Sequence, residues 1–365
     1  MSTNDSLIGK QLGDYTIQSL LEQGGMARVY RGYDPKLDRY AAVKVIEPNL
    51  IASDDEEEYR QRFQREARAI AKLNHPNVVG VYQFGQVGIS YYMAMVFVDG
   101  DDLRNILKAH NRQRQLLPHA KILRIARDIA GSLDYSHEQG VIHRDVKPSN
   151  IMVTGEGRAV LTDFGLALSA QEGTIGNTFG SVHYIAPEQA VSSAQAVPQS
   201  DLYSLGIVLY EMLTGRVPFE DVSAMSVALK HISDPPPLPS VLNPRISPQV
   251  EEVIIKALDK DPRKRYLTGR AFVLALESSF AMDDEEETHD LEPGQLTVMP
   301  GVPIASVPKP TPATPTPMLK PDDPLTTARI ERADSIVDSD TLAASALPFA
   351  PLESESSKGG GVQGY

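Results

Sequence analysis

The sequence predicts an α+β protein of two lobes, a small antiparallel β-sheet lobe with one helix and a larger, mostly α-helical lobe, followed by a disordered tail. Short segments of alternating apolar and polar residues occupy residues 15–98, as in strands with one buried face. Over residues 99–280 the apolar spacing becomes that of helices. Prolines and acids then dominate residues 281–365. Residues 1–14 are predicted to be an N-terminal extension to a folded domain over residues 15–280.

Composition excludes several functional classes. The chain has 365 residues, a net charge of −13 and no cysteine. The lack of cysteine excludes a disulfide framework, a thiolate metal site and a cysteine nucleophile. The acidity is concentrated in residues 281–365, which hold 15 acidic and 5 basic residues. Since phosphate neutralisation needs clustered Lys and Arg, we expect no nucleic-acid partner.

The pattern of apolar residues argues against a membrane protein. Residues 1–14 are polar and lack the apolar core of a signal peptide. The longest apolar run, Leu202–Leu213, is shorter than the roughly 20 residues of a membrane helix and is interrupted by polar residues. We interpret it as a buried helix. The sequence therefore predicts a cytoplasmic protein with no membrane span.

Three apolar strands predict the sheet of the small lobe. Tyr15–Leu21 and Ala27–Tyr33 alternate and are joined by a Gly-Gly turn, which taken alone is typical of an ordinary hairpin. Ala41–Ile46 is an apolar strand with Lys44 near its centre. A buried lysine costs free energy unless its charge is paired, although an edge-strand lysine is the alternative. A further hairpin strand is predicted over Val87–Val98.

One helix is predicted to pack on this sheet, over residues 59–73. Its apolar residues recur at helical spacing and form a single stripe: Phe63, Ala67, Ile70 and Leu73. Glu66 lies beside the stripe, where it could face the strand that carries Lys44. The alternative for Glu66 is a surface ion pair with Arg62, one helical turn earlier.

The large lobe is predicted to be helical. Leu103–His110 and Pro118–Glu138 show 3.6-residue apolar spacing, and the second helix is expected to end with Gly140 as its C-cap. A buried helix is predicted to begin at Ser200–Gly206. These helices bracket the segments that carry the chemistry.

The most informative segment is His143–Asn150, which is followed by Asp163-Phe164-Gly165. Asp145, Asn150 and Asp163 are the residue types that orient a hydroxyl group and hold magnesium against a nucleoside triphosphate. An isolated Asp or Asn is usually a turn or cap residue. Here three of them occur in fixed register with the expected neighbours, which indicates phosphoryl transfer.

These motifs, with Ala186-Pro187-Glu188 after them, resemble the eukaryotic-like (Hanks-type) protein kinase family. The Gly-Gly-Met-Ala-Arg-Val-Tyr wording of the small lobe resembles bacterial members. The resemblance covers about residues 15–280. It implies the bilobal protein-kinase-like fold, ATP and Mg²⁺ as cofactors, and proteins as substrates. The Lys-Pro-Ser-Asn wording that begins at Lys147 resembles Ser/Thr-specific members.

The resemblance also implies a role for each catalytic residue. Asp145 is expected to accept or orient the proton of the substrate hydroxyl, and Lys147 to contact the γ-phosphate. Asn150 and Asp163 are the expected magnesium ligands. His143 is expected to pack rather than to do chemistry.

Four parts of the small lobe are implied to contact ATP. Matching the family's glycine-rich loop places Glu22 at the first glycine, Gly24 at the second and Ala27 at the third. Glu22 adds a carboxylate that weakens nucleotide binding unless it points outward. Lys44 is expected to pair with the α/β-phosphates and with the helical Glu. The predicted ATP-contacting residues are Leu21, Glu22, Gln23, Gly24, Gly25, Met26, Ala27, Arg28, Val29, Lys44, Glu66, Met95, Phe97 and Val98.

Regulation and architecture are implied by further matches. Arg144 beside the catalytic Asp is typical of control by a phosphate on the activation loop. Thr174 and Thr178 are the predicted autophosphorylation sites, with an unmodified polar loop as the alternative. Asp201 is expected to cap the backbone of the segment His143–Asn150, which we call the catalytic loop. Glu188 and a later arginine, Arg265, are expected to pair.

The tail has two equally weighted interpretations. Residues 281–365 contain too few apolar residues to fold alone, so they are a passive linker or a docking and autophosphorylation segment. Phosphothreonine in the tail would recruit a phosphothreonine-binding domain, an expectation that comes from the family resemblance.

Two rival functions belong to other classes. A pseudokinase or weakly active signalling scaffold is the alternative raised by the incomplete glycine-rich loop, but such a protein would have lost Lys44, Asp145 or Asp163. A small-molecule phosphotransferase of related fold would lack the Ala-Pro-Glu segment. All of these residues are present.

Overall fold

A computed structural model describes residues 5–24, 27–46, 67–88, 90–164 and 182–289, with side chains through Ala281. All of these ranges lie in the first of the chain's two compact units, Met1–Gln295. The predicted architecture of a sheet lobe followed by a helical lobe is confirmed in this unit.

The small lobe is built on a six-stranded antiparallel sheet. Its strands are β1 (Gln11–Leu12), β2 (Tyr15–Gln23), β3 (Ala27–Asp34), β4 (Arg39–Ile46), β5 (Val81–Val87) and β6 (Ser90–Val96). The spatial order is β1-β2-β3-β4-β6-β5. Strand β4 is therefore central, with β3 on one side and β6 on the other. This places Lys44 between Val29 and Met93 in register.

Alternation along these strands explains why the sheet forms. Tyr30, Val43 and Ala94 are fully buried and pack in one apolar cluster on one face. Leu12 joins this cluster, although it lies in the predicted N-terminal extension, and β1 pairs with β2 through Leu12 and Tyr15. The sheet thus begins four residues before the first predicted strand. Residues 67–70 are helical, and Ala67 and Ile70 are buried in the main core.

The large lobe consists of eight helices among the described residues. They are α1 (Leu103–Arg112), α2 (His119–Glu138), α3 (Pro187–Val191), α4 (Pro198–Thr214), α5 (Ala224–Ser233), α6 (Pro239–Leu242), α7 (Pro248–Ala257) and α8 (Gly269–His289). Thirteen of the residues of α4 are buried, so this helix is the axis of the lobe, as its apolar run predicted. Helix α2 ends before Gly140, whose φ of +75° favours glycine.

A second, three-stranded sheet carries the catalytic segment. Strands β7 (Gly100–Asp102), β8 (Ile151–Thr154) and β9 (Ala159–Leu161) pair in that order. A Cβ on Gly100 would lie 2.2 Å from the Val153 carbonyl oxygen, so only glycine permits this close pairing. Residues 141–150 lead into β8, and Asp163 follows β9. The antiparallel pairing of β8 with β9 therefore brings the two motifs together.

The last described helix extends beyond the predicted end of the folded domain. Helix α8 runs to His289, whereas the sequence predicts that the folded domain ends at residue 280. It packs against α2, and the ring of Phe280 lies 4.4 Å from that of His119. None of the helices in the described ranges combines the length and apolarity needed to cross a bilayer.

Candidate active site

The two lobes meet at an ion pair between Lys44 and Asp163. The Lys44 ammonium on β4 donates a 2.7 Å hydrogen bond to Oδ1 of Asp163, which follows β9. The two side chains are 15% and 25% exposed. Asp163 has a φ of +56°, in the left-handed region that Asp adopts more readily than most residues. The pair joins the sheet lobe to the catalytic segments.

Each partner stabilises the charged form of the other. Burial alone lowers the pKa of Lys44, but the charge and hydrogen bond of Asp163 outweigh it, so this pKa lies above its ordinary value. Burial alone raises the pKa of Asp163, and Lys44 reverses this effect, so its pKa lies below the ordinary value. At neutral pH the site therefore holds one ammonium and one carboxylate, both largely removed from water.

The catalytic loop holds Asp145, Lys147 and Asn150 in one hydrogen-bonded group. The Lys147 ammonium donates to Oδ2 of Asp145 at 2.6 Å. Asn150 donates its side-chain N–H to the same oxygen at 3.0 Å and to the backbone oxygen of Asp145 at 2.9 Å. These donors fix the orientation of the Asp145 carboxylate. A carboxylate held in this way can orient a hydroxyl group brought beside it.

The donor set near Asn150 and Asp163 fits magnesium. Because the side-chain nitrogen of Asn150 is directed at Asp145, its amide oxygen is the atom left for a cation. Thr162, next to Asp163, donates through its backbone N–H to the Asn150 carbonyl at 2.9 Å. Amide and carboxylate oxygens are hard ligands suited to Mg²⁺. In the described ranges no cluster of three or more His, Cys, Asp or Glu could hold a metal alone, so bound phosphates would have to complete the shell.

Asp201 anchors the catalytic loop to helix α4. Its fully buried carboxylate accepts hydrogen bonds from the backbone N–H groups of His143 and Arg144, both at 2.8 Å, and from Nε2 of His137 at 2.7 Å. The predicted capping role of Asp201 is confirmed. Three donors satisfy a carboxylate that would otherwise be costly to bury.

His143 is a packing residue in its neutral form. Burial lowers its pKa. Its Nε2–H donates to the Thr162 carbonyl at 2.8 Å, and its Nδ1 accepts from the Asp145 backbone N–H at 3.2 Å. The carbonyl can only accept, so these two partners define the tautomer. The Phe164 ring lies 4.5 Å away, as expected for a packing role.

Arg144 has a constrained backbone and a buried side-chain nitrogen. Its φ is +66°, and its carbonyl accepts a 3.0 Å hydrogen bond from Gln189 on α3. Its Nε is buried and has no hydrogen-bond partner among the described residues. A guanidinium with unused donors is suited to an anion such as phosphate.

The predicted pairing of Glu188 with Arg265 is confirmed. The guanidinium of Arg265 donates to both carboxylate oxygens of Glu188, each at 2.8 Å, and its side chain is fully buried. Ser200 on α4 donates to the same carboxylate at 2.6 Å. Burial alone would raise the pKa of Glu188, but its hydrogen bonds to Arg265 and Ser200 lower it. The pair fixes the start of α3, beside Arg144, to the large lobe.

The glycine-rich turn is closed by one backbone hydrogen bond among the residues described there. The Gly24 N–H donates to the Ala27 carbonyl at 2.9 Å. Glu22, at the first glycine position, pairs in register with Val29. Its Oε1 lies 3.6 Å from Nη2 of Arg104, at the start of α1. The carboxylate of Glu22 thus has a cationic partner in the other lobe.

The predicted ATP-contacting residues at the end of β6, Met95, Phe97 and Val98, differ in their surroundings. Met95 is buried in the main core, on β6 opposite Ala42. The strand ends at Val96, and Val98 is half-buried against the same core. The Phe97 ring lies 6.5 Å from the ring of Tyr40 on β4 and 5.4 Å from the Arg31 guanidinium on β3. Its side chain therefore packs on the sheet.

Several predicted site residues lie outside the described residues. They are Gly25, Met26, Glu66, Thr174 and Thr178. The expected pairing of Lys44 with Glu66 stays a prediction, as do the two phosphorylation sites. The remaining residues predicted to contact ATP all lie on β2, β3, β4, β6 and the segments that directly follow them.

Comparison with known proteins identifies the class. A family model described as protein kinase domain matches residues 15–273, which is most of the chain, so the chain belongs to the protein kinase family. Within that family it is similar to bacterial serine/threonine-protein kinases. It is 40% identical to the probable serine/threonine-protein kinase PknB of Lactococcus lactis over 77% of this chain and 44% of that protein. It is 39% identical to the serine/threonine-protein kinase PrkC of Bacillus subtilis, over 76% of this chain and 42% of that protein.

Solved structures agree with this assignment. The kinase domain of PknI from Mycobacterium tuberculosis superposes with a TM-score of 0.60 at 30% identity, over 75% of this chain and 98% of that one. Rad53 1–466 in complex with AMP-PNP gives a TM-score of 0.59 at 28% identity, over 72% of this chain and 65% of that one. The chain spans less than half the length of PknB and PrkC, so it matches only part of each relative.

Sequence reasoning missed three residues that shape the site, His137, Arg104 and Gln189. His137 binds Asp201, and Arg104 binds Glu22. Neither has a local signal, because their partners lie far away along the chain. Gln189, which holds the Arg144 carbonyl, follows the Ala-Pro-Glu motif directly and was overlooked there.

Proposed function

We propose that the chain is an ATP-dependent serine/threonine protein kinase that transfers the γ-phosphoryl group to hydroxyl groups of protein substrates. One observation carries the proposal. Lys44 meets Asp163, and Lys147 and Asn150 meet Asp145, all within 3.0 Å at the junction of the two lobes. Positioning and charge neutralisation account for most of the rate of phosphoryl transfer, and this arrangement supplies both.

Asp145 acts on the acceptor hydroxyl. Its carboxylate, held by Lys147 and Asn150, orients the hydroxyl and accepts its proton as the acceptor oxygen bonds to the γ-phosphorus. The bond from that phosphorus to the bridging oxygen breaks, and ADP leaves. Lys147 lies beside the reacting groups, where its ammonium stabilises the negative charge of the γ-phosphate.

The remaining residues hold the nucleotide. Asn150 and Asp163 would hold Mg²⁺, which supplies charge neutralisation at the phosphate oxygens when it is bound. Lys44 binds the α/β-phosphates, and the glycine-rich turn covers them. The AMP-PNP complex of the similar Rad53 supports ATP as the nucleotide. The pseudokinase alternative has no support, since the described site keeps Lys44, Asp145 and Asp163.

Regulation and organisation are further parts of the proposal. Phosphorylation of Thr174 or Thr178 would supply an anion for Arg144, and the position of this arginine directly before Asp145 supports the role. The kinase domain would cover residues 15–280 or slightly more, given the length of α8. We propose a cytoplasmic location, and we propose that the segment after α8 is either a passive linker or a docking segment for phosphothreonine-binding domains.

Labelling of the purified chain tests the function. Incubation with Mg²⁺ and γ-labelled ATP should phosphorylate the chain on serine or threonine, and Asp163→Ala should abolish the label. Asp221→Ala, at a surface carboxylate that pairs with Lys230, is the control and should label normally. Label that persists in Asp163→Ala, or that falls on tyrosine, would contradict the proposal. Mass spectrometry of the unsubstituted protein against Asp145→Asn would locate the phosphorylated residues.

A further inference from the structure

An ion pair spans the mouth of the nucleotide cleft. Nη2 of Arg104 lies 3.6 Å from Oε1 of Glu22. Glu22 is the second-last residue of β2, directly before the glycine-rich turn, and Arg104 is the second residue of α1 in the large lobe. The Lys44–Asp163 pair joins the same two lobes deeper in the cleft. The lobes are therefore tied at two levels, one buried and one at the surface.

The position of Arg104 is unusual for a cation. The first turn of a helix carries a partial positive charge, which favours acids and disfavours arginine. The first turn of α1 contains no acid. The N-cap residue Asp102 lies 3.9 Å from Nε of Arg104, but its carboxylate also accepts two hydrogen bonds from Asn105. Glu22 supplies a second carboxylate, so the guanidinium is held between the two lobes.

Glu22 is also unusual, because the family's glycine-rich loop has its first glycine at this position. Its carboxylate is near enough to Lys44 to contribute to the raised pKa of that lysine, after the larger effects of burial and of Asp163. An unpaired carboxylate there would repel a triphosphate. Arg104 neutralises it and directs it toward α1. Because of this contact, we expect Glu22 to slow the release of the nucleotide and not to repel its phosphates.

Building on the proposed function, we propose that Glu22 and Arg104 form a latch that holds the end of β2 against α1 at the mouth of the nucleotide cleft and slows the release of bound nucleotide. Glu22 and Arg104 are positioning residues, since they act on the end of β2 and not on the phosphates. Their side chains are 56% and 47% exposed, so the latch opens readily and its effect is modest. Breaking an exposed pair of this kind should speed nucleotide release about two- to fivefold.

Stopped-flow release of a fluorescent ADP analogue from the full chain tests the latch. Glu22→Gln and Arg104→Gln should each speed release about two- to fivefold, and the double variant should release no faster than either single variant. The charge-swapped variant Glu22→Arg/Arg104→Glu should return the rate toward that of the unsubstituted protein. Raising the salt concentration should speed release in the unsubstituted protein more than in the single variants.

Lys108→Glu is the matched control, a charge reversal one turn further along the exposed face of α1. It should leave the release rate unchanged. Release that slows or stays the same in Glu22→Gln, or effects that simply add in the double variant, would overturn the latch while leaving the kinase function intact. A chain that binds no nucleotide and shows no labelling would overturn the proposed function itself, and the latch with it.

Discussion

Lys44 and Asp163 are 119 positions apart in the chain, yet their side chains share a 2.7 Å hydrogen bond. Lys44 belongs to the central strand of the small lobe, and Asp163 to the large lobe. Their charges compensate each other in a site from which water is largely excluded. The pair therefore sets the distance between the central strand of the small lobe and the segment after β9.

Replacing Lys44 should disable the site without unfolding the protein. We expect Lys44→Met to lower kcat/KM for ATP by on the order of 10²–10³-fold, because Asp163 loses its cation and the phosphates lose a donor. Steady-state kinetics with varied ATP would measure this. Lys36→Met is the matched control, since Lys36 pairs with Asp14 in the same lobe at 3.0 Å but is 73% exposed. Equal losses in the two variants would contradict the assignment.

Asp145→Asn should separate chemistry from binding. The amide retains the shape of the side chain but cannot accept the proton, so kcat should fall by about 10²–10⁴-fold. The Kd for ATP should change little, because the amide oxygen of Asn can still accept the hydrogen bonds that Lys147 and Asn150 donate to Asp145. Single-turnover kinetics with a separate nucleotide titration would show this split. A weakened Kd with unchanged kcat would place Asp145 outside the chemistry.

The Glu188–Arg265 pair should dominate the local stability of the large lobe. Arg265→Ala leaves the Glu188 carboxylate without its cation, and we expect the free energy of unfolding to fall by about 3–5 kcal/mol. Urea denaturation monitored by circular dichroism would measure it. Arg263→Ala, two residues earlier, removes an arginine that is 89% exposed and should cost less than about 1 kcal/mol. Similar losses in both variants would show that the buried pair adds nothing.

Buried His231 should make the fold sensitive to acid. Its side chain is fully buried beside Tyr203, and burial lowers its pKa to about 3. The unfolded chain, with an ordinary histidine pKa of about 6.5, binds a proton that the folded chain does not, so stability is present above that pH and falls as the pH drops below it. Going from about pH 7.5 to about pH 5.5 should cost about 1.4 kcal/mol through this residue.

The variant His231→Asn tests this sign. The variant should be less stable than the unsubstituted protein near neutral pH. Between about pH 7.5 and about pH 5.5, the free energy of unfolding should fall by about 1.4 kcal/mol less in the variant than in the unsubstituted protein. Urea titrations at both pH values give the comparison. An identical pH dependence in the two proteins would mean that folding does not shift the pKa of His231.

Local pattern and motif order predicted much of the molecule. The alternation in β3 and β4, the glycine stop after α2 and the apolar run of α4 each act within a few residues, so the sequence alone reveals them. The Asp201 cap and the Glu188–Arg265 pair were predictable for a different reason. Both belong to motifs whose spacing is characteristic of one fold.

The features that escaped prediction depend on distant placement. Arg104 follows two acids at a helix start, and nothing in that pattern points to Glu22, 82 positions earlier. The alternation of buried and exposed residues ends with the strand at Val96, so it does not predict that the Phe97 ring packs near the Tyr40 ring. The strand β1 is only two residues long, too short to show a period.

The attachment of the catalytic loop to α4 through Asp201 bears on how the enzyme would pass through successive turnovers. The loop shares the stability of the most deeply buried helix in the large lobe, whereas the end of β2 is joined to α1 by the exposed pair of Glu22 and Arg104. The small lobe can then open to release ADP and admit ATP while the acceptor geometry at Asp145 persists. Each cycle would begin with the catalytic loop already in place, and only the contact between β2 and α1 would have to re-form.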